Sequence, residues 1–182
     1  MRIISGFLKG KKINYLKNLN TRPLRDSVKE NIFNILKHSK VAQAKIERSN
    51  VLDLYSGVGS FGIECVSRGA EKVTFVEKDF KAINVLKENL FNLSVINSAV
   101  IINKKIEDML SGNLTDKFNI FFFDPPFLDS NFIKNLHTIK QKKIFNKNHI
   151  VIIHREKNSK DNFKQQINLK EIKEYGRSKI IF

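Results

Sequence analysis

The sequence has little of what staples or anchors a chain. Cys65 is the single cysteine among 182 residues, so no disulfide can form within the chain and no cysteine-rich metal site exists. This composition is typical of the reducing cytoplasm, which is where we expect the protein. The most apolar stretch, residues 118–123, is much too short to cross a membrane. The first residues, MRIISGFLKGKK, lack the apolar run of a signal peptide, so we expect no membrane association.

Acidic residues are missing from the first 25 positions, although the chain contains 18 of them. The formal net charge is +15, which suits a polyanionic partner, although a lysine-rich proteome would also give such a charge. A basic arm ahead of a body of mixed charge favours the first interpretation. The nucleic-acid contacts expected in this arm are Arg2, Lys9, Lys11, Lys12, Arg22 and Arg25.

The hydrophobic pattern predicts one domain in which strands and helices alternate. Residues 2–14 fit two short strands around a glycine-containing turn, and Ser27 and Glu30 fit a capping box that opens a helix. Further strands are predicted at residues 51–55, 73–77, 100–102, 118–123, 149–154, 167–174 and 178–182. Helices are predicted among them at residues 60–68, 79–91, 106–110 and 132–140. This order predicts a parallel sheet with helices on both faces and an antiparallel final edge.

The segment VLDLYSGVGSFGIE, residues 51–64, contains the pattern G-x-G-x-x-G. A loop after the first strand lies at the carboxyl edge of such a sheet, where ligands bind. Gly57 and Gly59 let the backbone approach a ligand without a Cβ between them. Glu77 ends the second strand about 20 residues further on, where a carboxylate can accept hydrogen bonds from both ribose hydroxyls. The pattern therefore predicts a ribose-bearing cofactor, either NAD or S-adenosylmethionine (SAM).

An acidic residue before this loop favours SAM. Asp53 gives the pattern D-x-x-x-G-x-G, and an acid in that place would repel the pyrophosphate that a dinucleotide presents to the helix N-terminus. SAM carries no phosphate, and a carboxylate can help to hold its methionine ammonium. The chain length agrees, because a dehydrogenase usually needs a second catalytic region.

A second motif, FFFDPPFLD at residues 121–129, ends the fourth strand, which we expect beside the first. Pro125 and Pro126 fix the backbone and donate no hydrogen bonds, so the carbonyls of Asp124 and Pro125 form a rigid row of acceptors. Such a row suits an amino group that is held by its hydrogens, and Phe127 offers a flat apolar face to a base. The motif therefore predicts the site of a target amine.

The segments LDLYSGVGSFGIE, FVEKD and DPPF resemble the SAM-dependent amino-methyltransferases with a Rossmann-like fold. More narrowly, RIISGFLKGKKI, RPLRDSVKENIFNIL, ECVSRGA and YGRSKIIF resemble the RsmD-like family, which methylates N2 of a guanine in bacterial 16S ribosomal RNA. The resemblance covers nearly the whole chain. It implies an α/β class I SAM methyltransferase fold: a mostly parallel seven-stranded sheet with an antiparallel C-terminal edge and a small N-terminal β-hairpin and helix extension. We expect the basic extension at residues 1–40, packed on a methyltransferase domain at residues 41–182.

The resemblance also implies the cofactor and the roles of the site residues. The expected SAM-binding residues are Asp53, Tyr55, Ser56, Gly57, Gly59, Ser60, Phe61, Glu77, Lys78 and Ile106, and the expected catalytic residues are Asp124, Pro125, Pro126 and Phe127. Residues 53–59 would wrap the methionine end, and Glu77 would take the ribose hydroxyls. Lys104 and Lys105 stand where the family often has an acid near the adenine amino group, so the adenine partner is the backbone near Ile106, or Glu107 or Asp108. The expected partner is 16S ribosomal RNA in a small-subunit particle, and we expect a monomer.

In this hypothesis the Asp124 carboxylate and the Pro125 carbonyl hold the guanine amine so that its lone pair faces the sulfonium methyl. Asp124 either takes the proton or only orients the amine. The alternatives are an N6-adenine DNA methylase, which would usually carry a large target-recognition region, and a non-catalytic RNA-binding module. Cys65 lies in the helix after the glycine loop and is interpreted as a buried hydrophobe. The four histidines lack ligand spacing, so no metal is expected, and Asp129 and Asp161 have no assignable partner.

Overall fold

The structure is a computed structural model that describes residues 1–16, 24–38, 44–163 and 166–182. The helices are α1 (Asp26–His38), α2 (Ser60–Ser67), α3 (Phe80–Asn92), α4 (Ile106–Ser111) and α5 (Phe132–Lys142), with a short 3-10 helix at Ile96–Ser98. The strands are β1 (Asn50–Leu54), β2 (Lys72–Val76), β3 (Ala99–Ile102), β4 (Phe118–Phe123), β5 (Phe145–Glu156), β6 (Ile172–Tyr175) and β7 (Ser178–Ile181).

These strands form one seven-stranded sheet in the order β3-β2-β1-β4-β5-β7-β6. The first five in that order pair in parallel. β7 pairs antiparallel with β5 and with β6. The predicted parallel sheet with an antiparallel edge is therefore confirmed. The strand that ends in the DPPF motif lies directly beside the strand that leads into the glycine loop, which brings both motifs to one edge.

The sheet separates two apolar layers. Phe122 of β4 belongs to the layer that includes α2, where its ring stacks on Phe61 at 3.9 Å between centroids. Phe121 and Phe123 belong to the other layer, beside Leu136 of α5. Successive side chains of a strand point to opposite faces, so β4 fills both layers. The strand sequence FNIFFF shows no regular apolar–polar alternation, which is typical of a strand buried on both faces.

The prediction of two strands within residues 2–14 is wrong. Arg2 and Lys12 form one isolated antiparallel bridge instead. A longer ladder cannot form because the backbone N–H groups of Ile4 and Ser5 donate to a buried glutamate of α2, at 2.8 Å and 2.9 Å. The segment is therefore a loop that is attached to the helix, and not an independent hairpin.

That glutamate is Glu64, which is fully buried together with Lys29 of α1. The Lys29 ammonium donates to the carbonyl of Arg2 at 2.9 Å and lies 3.8 Å from the Glu64 carboxylate. A buried charge is tolerated only when it is paired and hydrogen-bonded, and here both conditions are met. The N-terminal loop, α1 and α2 thus meet at one buried ion pair.

Other predicted boundaries also differ, and the strand predicted at residues 149–154 runs over Phe145–Glu156. Helix α1 begins at Asp26, so Ser27 lies inside the first turn and the predicted capping box is wrong. The strand predicted at residues 167–174 begins only at Ile172. Before it, the N–H groups of residues 170 and 171 both donate to the carbonyl of Phe182, so this stretch bonds to the chain terminus and forms no regular ladder.

Candidate active site

The three glycines of the first motif have different positions. Gly57 and Gly59 adopt left-handed φ angles of 54° and 86°, which side chains rarely accept. Gly62 lies inside α2, where a Cβ would come within 2.3 Å of the Phe75 ring on β2. The first two glycines therefore form the turn, and the third allows α2 to pack closely on the sheet.

Glu77 fixes the glycine loop from the end of β2. Its carboxylate accepts the N–H of Gly57 at 3.0 Å through one oxygen and the N–H of Asp79 at 2.8 Å through the other. Asp79 in turn caps α3, accepting from the N–H of Lys81 at 2.8 Å. Because both carboxylate oxygens bond to backbone groups, the position of Glu77 is set by the fold.

Asp53 is buried at the end of β1 and accepts the N–H of Gly62 at 2.9 Å. Burial raises the pKa of its carboxyl group well above the ordinary value, and the charges of Asp124 and Glu77 act in the same direction. A cationic ligand group would relieve this repulsion, whereas an anionic one would add to it. The electrostatics of this end of the site therefore fit the ammonium of an amino acid better than a pyrophosphate.

Tyr55 joins the glycine loop to the helices beyond the sheet. It adopts φ 60°, an outlier for a bulky residue and a kind of strain that clusters at functional sites. Its hydroxyl accepts from the amide of Asn135 at 3.4 Å, and the same amide donates to Glu107 at 3.2 Å. Burial raises the pKa of Tyr55, and the nearby Asp129 carboxylate adds to the shift. Asp129 itself accepts the N–H of Asn131 at 2.8 Å, a partner that the sequence did not reveal.

Asp124 stands at the end of β4 with its side chain about one quarter exposed. Its backbone N–H donates to the carbonyl of Leu54 at 3.3 Å, and its Oδ1 lies 2.8 Å from Nδ1 of His154 on β5. An ionised carboxylate can only accept hydrogen bonds, so Nδ1 of His154 is the donor. The bond uses one carboxylate oxygen, and the other can accept from a substrate amine.

Arg155, the next residue of β5, binds the backbone of the loop that follows Asp124. Its guanidinium donates to the carbonyls of Pro126 and Phe127 at 3.1 Å and 2.9 Å. It also donates to both carboxylate oxygens of Asp161, at 2.9 Å and 3.1 Å. Arg155 is buried, and this bidentate pairing satisfies its charge. The sequence offered no partner for Asp161. In the structure it binds Arg155 and so fixes the guanidinium that bonds to the loop.

Both motifs line one cavity of about 1180 Å³. Gly59 does not line it, and a Cβ at this position would come within 2.4 Å of the Leu86 side chain in the core. The expected site residues that line it are Asp53, Tyr55, Ser56, Gly57, Ser60, Phe61, Glu77, Lys78, Ile106, Asp124, Pro125, Pro126 and Phe127. Lys104, Lys105, Glu107, Asp108 and His154 line it too. All three candidates for the adenine partner thus stand at the cavity.

The described cations of the basic arm do not line this cavity, although Met1, Tyr15, Leu16 and Leu24 of the same segment do. Lys9, Lys11, Lys12 and Arg25 are exposed, and none of these four lines the cavity. Arg2 is exposed as well and lies 3.5 Å from Asp26. Arg22, the remaining member of the predicted set, lies outside the described residues.

Sequence reasoning missed His154 and Arg155. The available signal was weak: both follow a run of apolar residues in a strand, where a polar pair is unexpected. Cys65 is fully buried, and burial raises the pKa of its thiol, as expected of a small core residue. Within the described ranges, no group of three His, Cys, Asp or Glu side chains could hold a metal ion. No helix in the described part of the chain is long and apolar enough to span a membrane.

Comparison with known proteins agrees with this arrangement. A family model described as "Conserved hypothetical protein 95" matches residues 1–182. The chain belongs to this family. It is the RsmD family that the sequence resembles, and the fold is that of the class I SAM-dependent methyltransferases.

Relatives of this RsmD-family chain match over most of its length. Ribosomal RNA small subunit methyltransferase D of Haemophilus influenzae is 40% identical over 129 residues, which cover 70% of this chain and 64% of that protein. The protein of the same name from Buchnera aphidicola subsp. Acyrthosiphon pisum is 34% identical over 155 residues, covering 85% and 78%. Among solved structures, the yhhF protein of Escherichia coli has a TM-score of 0.84 at 26% identity and covers 100% of this chain and 95% of that chain.

Proposed function

We propose that this chain is a SAM-dependent methyltransferase that modifies the exocyclic N2 of a guanine in 16S ribosomal RNA. The observation that carries the proposal is the cavity that joins the glycine loop to the Asp124–Phe127 loop. One wall offers a place for a ribose-bearing cation, and the other offers acceptors for an amino group. The names of the relatives, which are ribosomal RNA methyltransferases, support RNA as the substrate class.

The residues present fit SAM. Asp53, whose pKa is raised by burial and by neighbouring acids, would hold the methionine ammonium, and Glu77 would take the ribose hydroxyls. Lys78 and the backbone of Ile106 border the space for the adenine. SAM supplies an electrophilic methyl group bound to a sulfonium. The protein supplies its orientation, and orientation accounts for much of the rate of an in-line displacement.

The target wall would hold the guanine amine by its two hydrogens. Arg155 bonds the carbonyls of Pro126 and Phe127, and the preceding carbonyl, that of Pro125, is not among its partners. That carbonyl and Oδ2 of Asp124 are the acceptors we assign to the amine. Two such bonds would favour a pyramidal nitrogen whose lone pair is directed at the methyl group. Phe127 would stack on the base after it leaves its own stack.

His154 would act as a positioning residue. Its hydrogen bond fixes one oxygen of Asp124, which leaves the other oxygen for the target amine. The exposed lysines and arginines of the N-terminal arm would contact RNA phosphates. We extend the proposal to a division into an extension at residues 1–40 and a domain at residues 41–182. We also propose a monomer that acts in the cytoplasm on a small-subunit particle.

Methyl transfer from tritium-labelled SAM tests the function. The purified protein should label unmodified 16S ribosomal RNA or a small-subunit particle, and it should leave DNA unlabelled. Digestion of the product to nucleosides, followed by mass spectrometry, should identify N2-methylguanosine. Labelling of adenine in DNA would replace this proposal with the N6-adenine alternative. RNA binding without any labelling would indicate a non-catalytic module.

Thermal melting tests the cofactor separately. A ligand that binds only the folded state raises the melting temperature, so SAM and its demethylated product should stabilise the protein, and NAD should not. Stabilisation by NAD but not by SAM would overturn the assignment of the glycine loop.

A further inference from the structure

A second and much smaller cleft, of about 20 Å³, lies where the target loop meets the start of α1 and the turn between β6 and β7. Leu24, Phe127 and His154 line both the large cavity and this cleft, so they form the wall between the two. The remaining lining residues come from both ends of the chain: Arg25, Val28, Tyr175, Arg177 and Ser178. Two arginines thus stand on the far side of the wall against which the target base would be placed.

Arg177 stands on a fixed turn. Gly176 adopts φ 55° in the two-residue connection between β6 and β7, as a tight hairpin requires. The carbonyl of Arg177 accepts the N–H of Lys157 at 2.9 Å, just beyond the end of β5. Ser178 pairs with Glu156, two residues past His154 on the same strand. The fold therefore holds this arginine at the edge of the sheet where the site lies.

Arg25 approaches the cleft from the start of α1. It is exposed, and its carbonyl accepts the N–H of Lys29 at 2.9 Å, in the first turn of the helix. Neither Arg25 nor Arg177 has an ion-pair partner among the described residues. The acids nearest in sequence are already paired: Asp26 with Arg2 at 3.5 Å, and Glu174 with Lys157 at 2.8 Å. Both guanidinium groups are therefore available to an anion.

We infer that Arg25 and Arg177 form a clamp for the RNA phosphates that flank the target guanine. Guanidinium groups bind phosphate with paired hydrogen bonds, and a base drawn out of its stack carries its own backbone to the mouth of the pocket. The two cations lie where that backbone would pass, behind Phe127. The inference rests on the proposed function, because it takes the Asp124–Phe127 loop as the site of the base.

Salt dependence of RNA binding tests the clamp. Arg177→Ala and Arg25→Ala should each weaken binding to in-vitro-transcribed 16S ribosomal RNA by roughly tenfold or more. Each should also flatten the log–log salt slope by about 0.7 to 0.9. Lys147→Ala is the matched control, since it removes one exposed cation from the first residues of β5, far from its His154 end. If the two arginine variants keep the wild-type slope, or if Lys147→Ala changes it equally, the clamp does not exist.

A neutral phosphate locates the contact. Short RNAs that contain the mapped target guanine are synthesised, each with a single uncharged methylphosphonate in place of one phosphate. The replaced phosphate is one of the two linkages before the guanine or one of the two after it. A methylphosphonate at the contacted linkage should weaken RNA binding by the wild-type protein. The same substitution should not weaken RNA binding by Arg177→Ala any further, because that variant has already lost the contact. Equal losses for wild type and variant at every linkage would overturn the inference. Methyl transfer by the wild-type protein is measured in parallel: its absence would refute the proposed function, whereas an intact transfer with unchanged slopes would refute only the clamp.

Discussion

The two walls of the cavity are held by different kinds of contact. On the cofactor wall, carboxylates bind backbone N–H groups nearby in the chain: Asp53 binds Gly62, nine residues on, and Glu77 binds Gly57, twenty residues back. On the target wall, side chains of β5 reach loop groups 28 to 30 residues earlier. The cofactor wall is therefore held by contacts within the β1–β2 part of the chain. The target wall is held by side chains of β5, a strand that comes later in the sequence. Single substitutions should therefore damage catalysis through the target wall far more than cofactor binding.

The largest effect is expected at Asp124. Asp124→Ala removes an acceptor from the target amine and leaves the glycine loop untouched. Methyl transfer should fall by about 10² to 10⁴-fold, the range of a positioned proton-transfer group, while the melting shift caused by SAM stays near normal. Asp124→Asn separates the two roles, because its amide oxygen accepts a hydrogen bond but is no base. Wild-type turnover of Asp124→Ala under single-turnover conditions would remove this loop from the mechanism.

His154 should give the next largest effect. His154→Leu removes the donor to Asp124, a loss of about 1 to 3 kcal/mol, and should slow methyl transfer by about 10 to 100-fold. His154→Asn is the conservative control, because its amide can donate in the place of Nδ1 and should restore most of the rate. If His154→Asn transfers methyl groups as slowly as His154→Leu, the imidazole contributes through packing and not through its hydrogen bond to Asp124. SAM binding should be unchanged in both variants.

The same contrast explains what the sequence could predict. The parallel sheet, the glycine loop and the end of β4 follow from local patterns, namely apolar runs, glycines and prolines at fixed spacing. His154 and Arg155 could not be assigned, because their partners become neighbours only when β4 and β5 pair. The prediction of two strands within residues 2–14 was wrong for a similar reason. Its strand pattern is overridden by a carboxylate sixty residues away, which no local rule contains.

The basic arm offers a test that should affect RNA and spare the cofactor wall. A triple Lys9, Lys11, Lys12→Ala variant should weaken RNA binding and flatten the log–log salt slope by about 0.7 to 0.9 for each RNA phosphate that is no longer neutralised. The three lysines are exposed and lie outside the cavity, so SAM should stabilise the variant as it stabilises wild type. An unchanged salt slope would mean that these charges are only solvated surface.

The smallest effect concerns Asp53 and the cofactor wall alone. Burial raises the pKa of this carboxyl in the folded state, so the folded protein binds the proton more tightly than the unfolded chain does. The stability that arises from this shift is fully present below about pH 4, the unfolded value, and is lost as the pH rises through the folded value. Asp53→Asn cannot ionise there, and its amide oxygen can still accept the N–H of Gly62.

We therefore expect the ligand-free wild type to lose more stability than Asp53→Asn as the pH rises from about 4 to about 8. Melting temperatures across that range, each measured for both proteins, give the difference directly. Saturating SAM should narrow the difference, because its ammonium favours the ionised carboxylate. If the pH-dependent difference in melting temperature between wild type and Asp53→Asn is the same with and without SAM, Asp53 does not face the SAM ammonium. The glycine loop would then bind its ligand through backbone groups and Glu77 alone.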